Sequence, residues 1–117
     1  MNKVTIYHNP RCSKSRQTLD IIRSCSREPE IIDYLVNPPT VQQLDSLCSA
    51  MGKTPLELMR VTEPLFTELG LSKEDRRSRR EWLEIMVKNP KLIERPIVVC
   101  DGKVALGRPP ETVLDIL

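Results

Sequence analysis

Four cysteines and one histidine are the side chains of this 117-residue chain that invite a chemical reading. Cys12, Cys25, Cys48 and Cys100 stand 13, 23 and 52 residues apart, with no C-x-x-C pair among them. His8 is the only histidine, so the set suits neither a zinc site nor a local disulfide, and no metal is expected. Cys12 differs from the others by position. It follows a short β-branched run at 4–7 and the turn His8-Asn9-Pro10-Arg11, and it opens a helical pattern. Backbone N–H groups at a helix start stabilise an anion, so a thiolate there has a lowered pKa. Arg11, Lys14 and Arg16 add positive charge, and His8 could add more. Ser15 stands where a C-x-x-C protein would carry its second thiol. Cys12 therefore cannot close a local disulfide, and an adduct on it needs an outside thiol to be resolved. Ser15 and His8 read as hydrogen-bond or charge donors to the thiolate. Cys25 and Cys48 fall on apolar helix faces and read as core filler, and Cys100, ending a strand, reads as buried.

Two arginines occupy rigid surroundings. Arg95 precedes Pro96, and a residue before proline is held extended, which fixes the direction of its side chain. Arg108 lies between Gly107 and Pro109. Beside a thiolate, two such guanidinium groups read as a fork-shaped clamp for an oxyanion.

The elements that must position these residues follow from pattern. A strand at 4–7 is followed by a helix from 12 or 13, with Thr18, Leu19, Ile22 and Cys25 marking its apolar face. A second strand is expected at 30–35, and the crossover length suits a right-handed βαβ unit. After the break at Asn37-Pro38-Pro39, Thr40 and Gln43 form a capping-box signature. Val41, Leu44, Leu47, Cys48 and Met51 follow at helical spacing, and Gly52 closes the helix. Thr54-Pro55-Leu56-Glu57 repeats the cap and predicts a short helix to about residue 60. Residues 72–89 read as helical in whole or part, with Trp82 and Met86 on one face. A buried strand at 96–100, a type I′ turn at Asp101-Gly102 and a returning strand at 103–106 precede a closing helix at 111–117, which Pro109-Pro110 begins. The order β-α-β, helices, β-β-α is that of an α/β thioredoxin-like core. One domain, 1–117, is expected, with a helical insertion at about 40–90 between the halves of the core. In such a core Pro96 takes the place of the proline that faces the reactive cysteine, commonly with a cis bond.

Composition narrows the function classes. With 39% hydrophobic and 29% charged residues, the chain reads as neither disordered nor membrane-spanning. Its longest apolar runs, Ile85-Met86-Val87 and Ile97-Val98-Val99-Cys100, are far too short for a bilayer. No basic-then-apolar leader opens it, so a cytoplasmic protein with reduced thiols is expected. A net charge of +2 does not argue for nucleic acid. The decapeptide 72–81 holds five basic and three acidic residues and accounts for all of that charge. It reads as a solvated helix start or as a patch for docking a partner.

The segment Ile6-Tyr7-His8-Asn9-Pro10-Arg11-Cys12-Ser13-Lys14-Ser15-Arg16-Gln17-Thr18-Leu19 resembles the active-site stretch of glutaredoxin-coupled arsenate reductases. Glu94-Arg95-Pro96-Ile97-Val98-Val99, Gly107-Arg108-Pro109-Pro110-Glu111 and Leu58-Met59-Arg60 resemble three further segments of that family, in order along the whole chain. The best-known arsenic-resistance members carry Gly-Thr after the cysteine where this chain has Ser13-Lys14, so it is more similar to a chromosomal, arsenate-reductase-like branch. The resemblance implies that the Cys12 thiolate attacks arsenate while Arg60, Arg95 and Arg108 hold its oxygens. It implies that His8 and Ser15 keep the cysteine ionised. Glutathione as co-substrate and glutaredoxin as partner would complete reduction to arsenite, with no bound cofactor, in a monomer that uses neither membrane nor nucleic acid. The alternatives are a general glutathione-dependent thiol oxidoreductase and a redox-linked regulatory module that binds a protein partner. Ser15 argues against the last, because that kind of switch uses C-x-x-C.

Overall fold

The computed structural model describes residues 3–117. By its internal contacts the chain divides into two compact units, one formed by residues up to Asn37 together with Arg95–Leu117, the other by Pro38–Glu94.

The first unit is built on a four-stranded sheet. Strand β1 (Val4–His8) runs parallel to β2 (Glu30–Asp33), joined by helix α1 (Ser13–Ser24). Strands β3 (Ile97–Cys100) and β4 (Lys103–Leu106) add antiparallel, giving the order β2-β1-β3-β4. The register sets Ile6, Val98 and Ala105 in one row across the sheet. That row is buried together with Leu19 and Ile22 of α1 and with Val113. Each fully buried aliphatic side chain of this kind stabilises the fold by roughly 1.5–3 kcal/mol. Asp101 and Gly102 both have positive φ, 52° and 76°, as a type I′ hairpin turn requires.

The second unit is helical. Helix α2 (Val41–Met51) starts with the expected box: Thr40 Oγ1 accepts from the Gln43 N–H, and Gln43 Oε1 accepts from the Thr40 N–H. It ends on Gly52 at φ 67°. Helices α3 (Pro64–Glu68) and α4 (Arg79–Lys88) follow, the latter with a second complete box between Ser78 and Glu81. Leu44, Leu47, Cys48, Leu58, Phe66, Trp82, Leu83, Met86 and Leu92 are buried.

Several local expectations change. The second strand stops at Asp33 rather than reaching residue 35, because the Asp33 carbonyl accepts from Val36 and Asn37 and its carboxylate accepts from the Leu35 N–H, closing a turn. The Thr54–Glu57 cap forms in both directions, yet only one 3₁₀ turn follows, Leu56–Leu58. Met59 is extended and pairs with Ile93, and the Arg60 N–H donates to the Leu92 carbonyl at 2.7 Å. Pairing across the unit thus outcompetes helix continuation. Residues 72–78 stay outside α4, α3 was not foreseen, and the C-terminal helix is the 3₁₀ segment Pro110–Asp115. Cys25 is not core filler: α1 ends at Ser24, so Cys25 sits past the last helical turn and is exposed. Cys48 and Cys100 are buried as expected.

Candidate active site around Cys12

The turn after β1 is tied together by Asn9. Its carbonyl accepts from the Cys12 N–H at 3.0 Å, its side-chain oxygen accepts from the Arg11 N–H, and its own N–H donates to Ser15 Oγ at 3.0 Å. Cys12 is thereby placed at the N-cap of α1, in extended conformation and half-buried. The sequence reading passed over Asn9, although an asparagine before proline is a recognised turn former.

Burial pushes the Cys12 thiol up, but the groups around it more than reverse this. The N–H groups of Ser15 and Lys14 at the helix start and the guanidinium of Arg95, which also donates a hydrogen bond, leave its pKa below that of an ordinary thiol. Arg95 precedes a cis bond to Pro96, and Arg108 precedes a cis bond to Pro109. The two loops are joined: Arg108 Nη1 donates to the Arg95 carbonyl at 3.3 Å, and the Gly107 N–H donates to the Pro96 carbonyl at 2.9 Å. Cys12, Arg95 and Arg108, 83 and 13 residues apart in the chain, therefore belong to one cluster.

His8 and Ser15 are paired with each other behind Cys12. Ser15 is fully buried, and its Oγ lies 2.6 Å from His8 Nδ1. Burial lowers the His8 pKa, with Arg16 and Arg23 acting in the same direction and Asp33 against it. His8 is therefore neutral at neutral pH and is not an added cation beside the sulfur. Ser15 acts on Cys12 through its backbone N–H. Arg16 Nη1 is turned to the Pro10 carbonyl, which braces the same turn.

Arg60 belongs to the helical unit. It forms ion pairs with Glu63 at 3.2 Å and Glu94 at 3.6 Å and donates to the Lys91 carbonyl. It sits on the extended stretch after the 3₁₀ turn, not at a helix end. In the basic run, Arg79 pairs with Asp45, Arg77 with Asp75 while lying over the Trp82 ring, and Arg80 with Glu84. Among the described residues, no group of three His, Cys, Asp or Glu side chains could hold a metal ion, and no helix is long and apolar enough to cross a membrane.

The chain is 47% identical over 116 residues to the uncharacterized protein YfgD of Escherichia coli K12, covering 98% of this chain and 97% of that one. It is 46% identical to an arsenate reductase of Rhizobium meliloti, covering 97% of this chain and 81% of the relative. A solved arsenate reductase from Vibrio cholerae superposes with a TM-score of 0.93 at 45% identity, over 98% of each chain. The cysteine at the start of α1 and the two arginine loops lie inside residues 7–116, the stretch matched by the model of one family, and the chain belongs to that family, ArsC.

Proposed function

We propose that this chain reduces arsenate through a single thiol, with glutathione and glutaredoxin as the source of electrons. The observation that supports this best is the Cys12 environment: helix-start N–H groups and the Arg95 guanidinium favour a thiolate at Cys12. The names of the Rhizobium and Vibrio relatives point the same way. The Cys12 sulfur forms a bond to arsenic and an oxygen leaves as water. Arg95 and Arg108 hold the remaining oxygens, each with a fork suited to two contacts. Arg60, the third arginine that the resemblance implies, is ion-paired with Glu63 and Glu94 within the helical unit. Glutathione then attacks the adduct, and glutaredoxin removes the glutathione to release arsenite. In sum two thiols become one disulfide and As(V) becomes As(III). Phosphate has the same charge and shape but does not accept those two electrons. Ser15 in place of a second thiol is why the resolving thiol comes from outside. The reaction needs no bound cofactor and suits a monomer in the reducing cytoplasm.

The test is a coupled assay with arsenate, glutathione, glutaredoxin, glutathione reductase and NADPH. NADPH consumption should require arsenate, glutathione and Cys12, and should slow when glutaredoxin is omitted. Consumption that is indifferent to arsenate overturns the reading in favour of a general thiol oxidoreductase.

A further inference from the structure

Gly107 is unlike the glycines at the turns. Gly52 and Gly102 have positive φ and open space around them, so they serve by backbone conformation. Gly107 has φ outside the left-handed region and is buried, and a Cβ built on it would lie 2.6 Å from Thr18 Oγ1, 2.8 Å from Pro96 Cγ and 3.1 Å from Thr18 Cγ2. Neither neighbour can yield easily. Thr18 is fully buried and its hydroxyl donates to the Lys14 carbonyl at 2.8 Å, while Pro96 is a ring between Arg95 and β3. Three segments converge on this point. Thr18 lies on α1, whose first turn carries Cys12 and the Lys14 and Ser15 N–H groups. Pro96 follows Arg95. Gly107 precedes Arg108 and donates its N–H to the Pro96 carbonyl.

We infer that Gly107 is a positioning residue for oxyanion binding: its missing side chain lets the Arg95 and Arg108 loops close onto Thr18, and that contact sets the spacing of both guanidinium groups from the Cys12 sulfur. This rests on the arsenate reading above and extends it to residues that touch neither sulfur nor oxyanion. A Cβ at 107 must push the loop, α1 or Pro96 apart by several tenths of an ångström. Displacements of that order at a binding fork cost rate steeply. The N–H groups that hold the thiolate belong to α1 itself and stay in place.

The experiment compares wild type, Gly107→Ala and the double variant Thr18→Ala/Gly107→Ala. Each is assayed for arsenate kinetics and for alkylation of Cys12 by iodoacetamide with and without arsenate. In Gly107→Ala, kcat/KM for arsenate should fall roughly ten- to a hundredfold, mainly through KM. Alkylation without arsenate should change little, and protection by arsenate should be lost. The double variant removes both Thr18 atoms that the new Cβ meets, the tightest contact among them, and leaves the one to Pro96 Cγ, so it should recover part of the KM and of the protection despite carrying two substitutions. A Gly107→Ala protein that binds and turns over arsenate like wild type overturns the inference. So does a folded double variant no better than the single one, and so does failure of both variants to fold, which would leave Gly107 a purely structural role. A wild-type chain that arsenate neither protects nor oxidises removes the proposed function and this inference with it. A protected wild type beside an equally protected Gly107→Ala removes the inference alone.

Discussion

Cys12 in the sheet unit and Cys48 in the helical unit share the first influence on their thiols: burial pushes both up. Each also has an arginine that pulls its pKa down, Arg95 for Cys12 and Arg79 for Cys48. Yet Cys12 ends below an ordinary thiol and Cys48 above it. One difference is the carboxylate beside Cys48. Arg79 is bonded to Asp45 at 2.6 Å and to Ser49 at 3.1 Å, and Asp45 itself raises Cys48. The other is helix polarity. Cys12 faces the N–H groups at the start of α1, whereas Cys48 lies in the last turn of α2, the carbonyl end, where negative charge is disfavoured. A nearby guanidinium alone does not make a reactive thiol; the backbone dipoles have to agree with it.

The strongest way to break this comparison is to exchange the roles. Cys12→Ser should lower arsenate turnover by roughly 10³-fold or more, the scale of losing a nucleophile. Replacing Cys25, Cys48 and Cys100 together should keep turnover. Cys48 and Cys100 are buried, so the triple variant should unfold at lower denaturant, by a few kcal/mol at most (about 1 per buried site). Activity in folded Cys12→Ser, read with the coupled assay, would end the assignment.

A second exchange concerns the arginines. Arg95→Lys keeps the charge and loses the fork, so kcat/KM should drop roughly ten- to a hundredfold across neutral pH. Arg108→Lys should behave alike. Arg79→Lys, at an exposed ion pair, should leave kinetics untouched and shift stability by less than about 1 kcal/mol. Equal effects at 95 and 79 would show that the two units do not differ in the way described.

The smallest expected effect sharpens the electrostatics. His8 has a folded pKa below its unfolded value, so the unfolded chain takes up the proton first on acidification. Its contribution to stability is therefore present above the unfolded value of about 6.5 and is lost as pH falls through the folded pKa. Cys12 follows the same sign in a higher window, below the ordinary thiol pKa. His8→Asn, which retains a hydrogen-bonding group near Ser15, should flatten the difference in stability between pH 7 and mildly acidic pH while changing turnover at neutral pH only a few-fold. Denaturant titrations at a series of pH values give the comparison. An unchanged slope would mean that His8 is not held neutral by the fold.

What the sequence by itself determined was local. The capping boxes at Thr40 and at Thr54, the Asp101-Gly102 turn, the β-branched runs and the singular position of Cys12 depend on neighbours within a few residues, and each could be read before any fold was known. What lay beyond it came from partners far along the chain. Cys25 matched the apolar period of α1, but the helix ended one residue too soon to bury it. A capped helix at 54 gave way to an extended Met59 because residues 92–94 offered backbone partners. His8 had the right chemistry to be a cation, and only its burial against Ser15 made it neutral. Gly107 looked like part of a loop motif, although its space is filled by Thr18, 89 positions earlier. A sequence states which groups are present and how their neighbours dispose them. Desolvation, the sign of a pKa shift and the room left for a single Cβ are sums over groups that only the closed fold brings together.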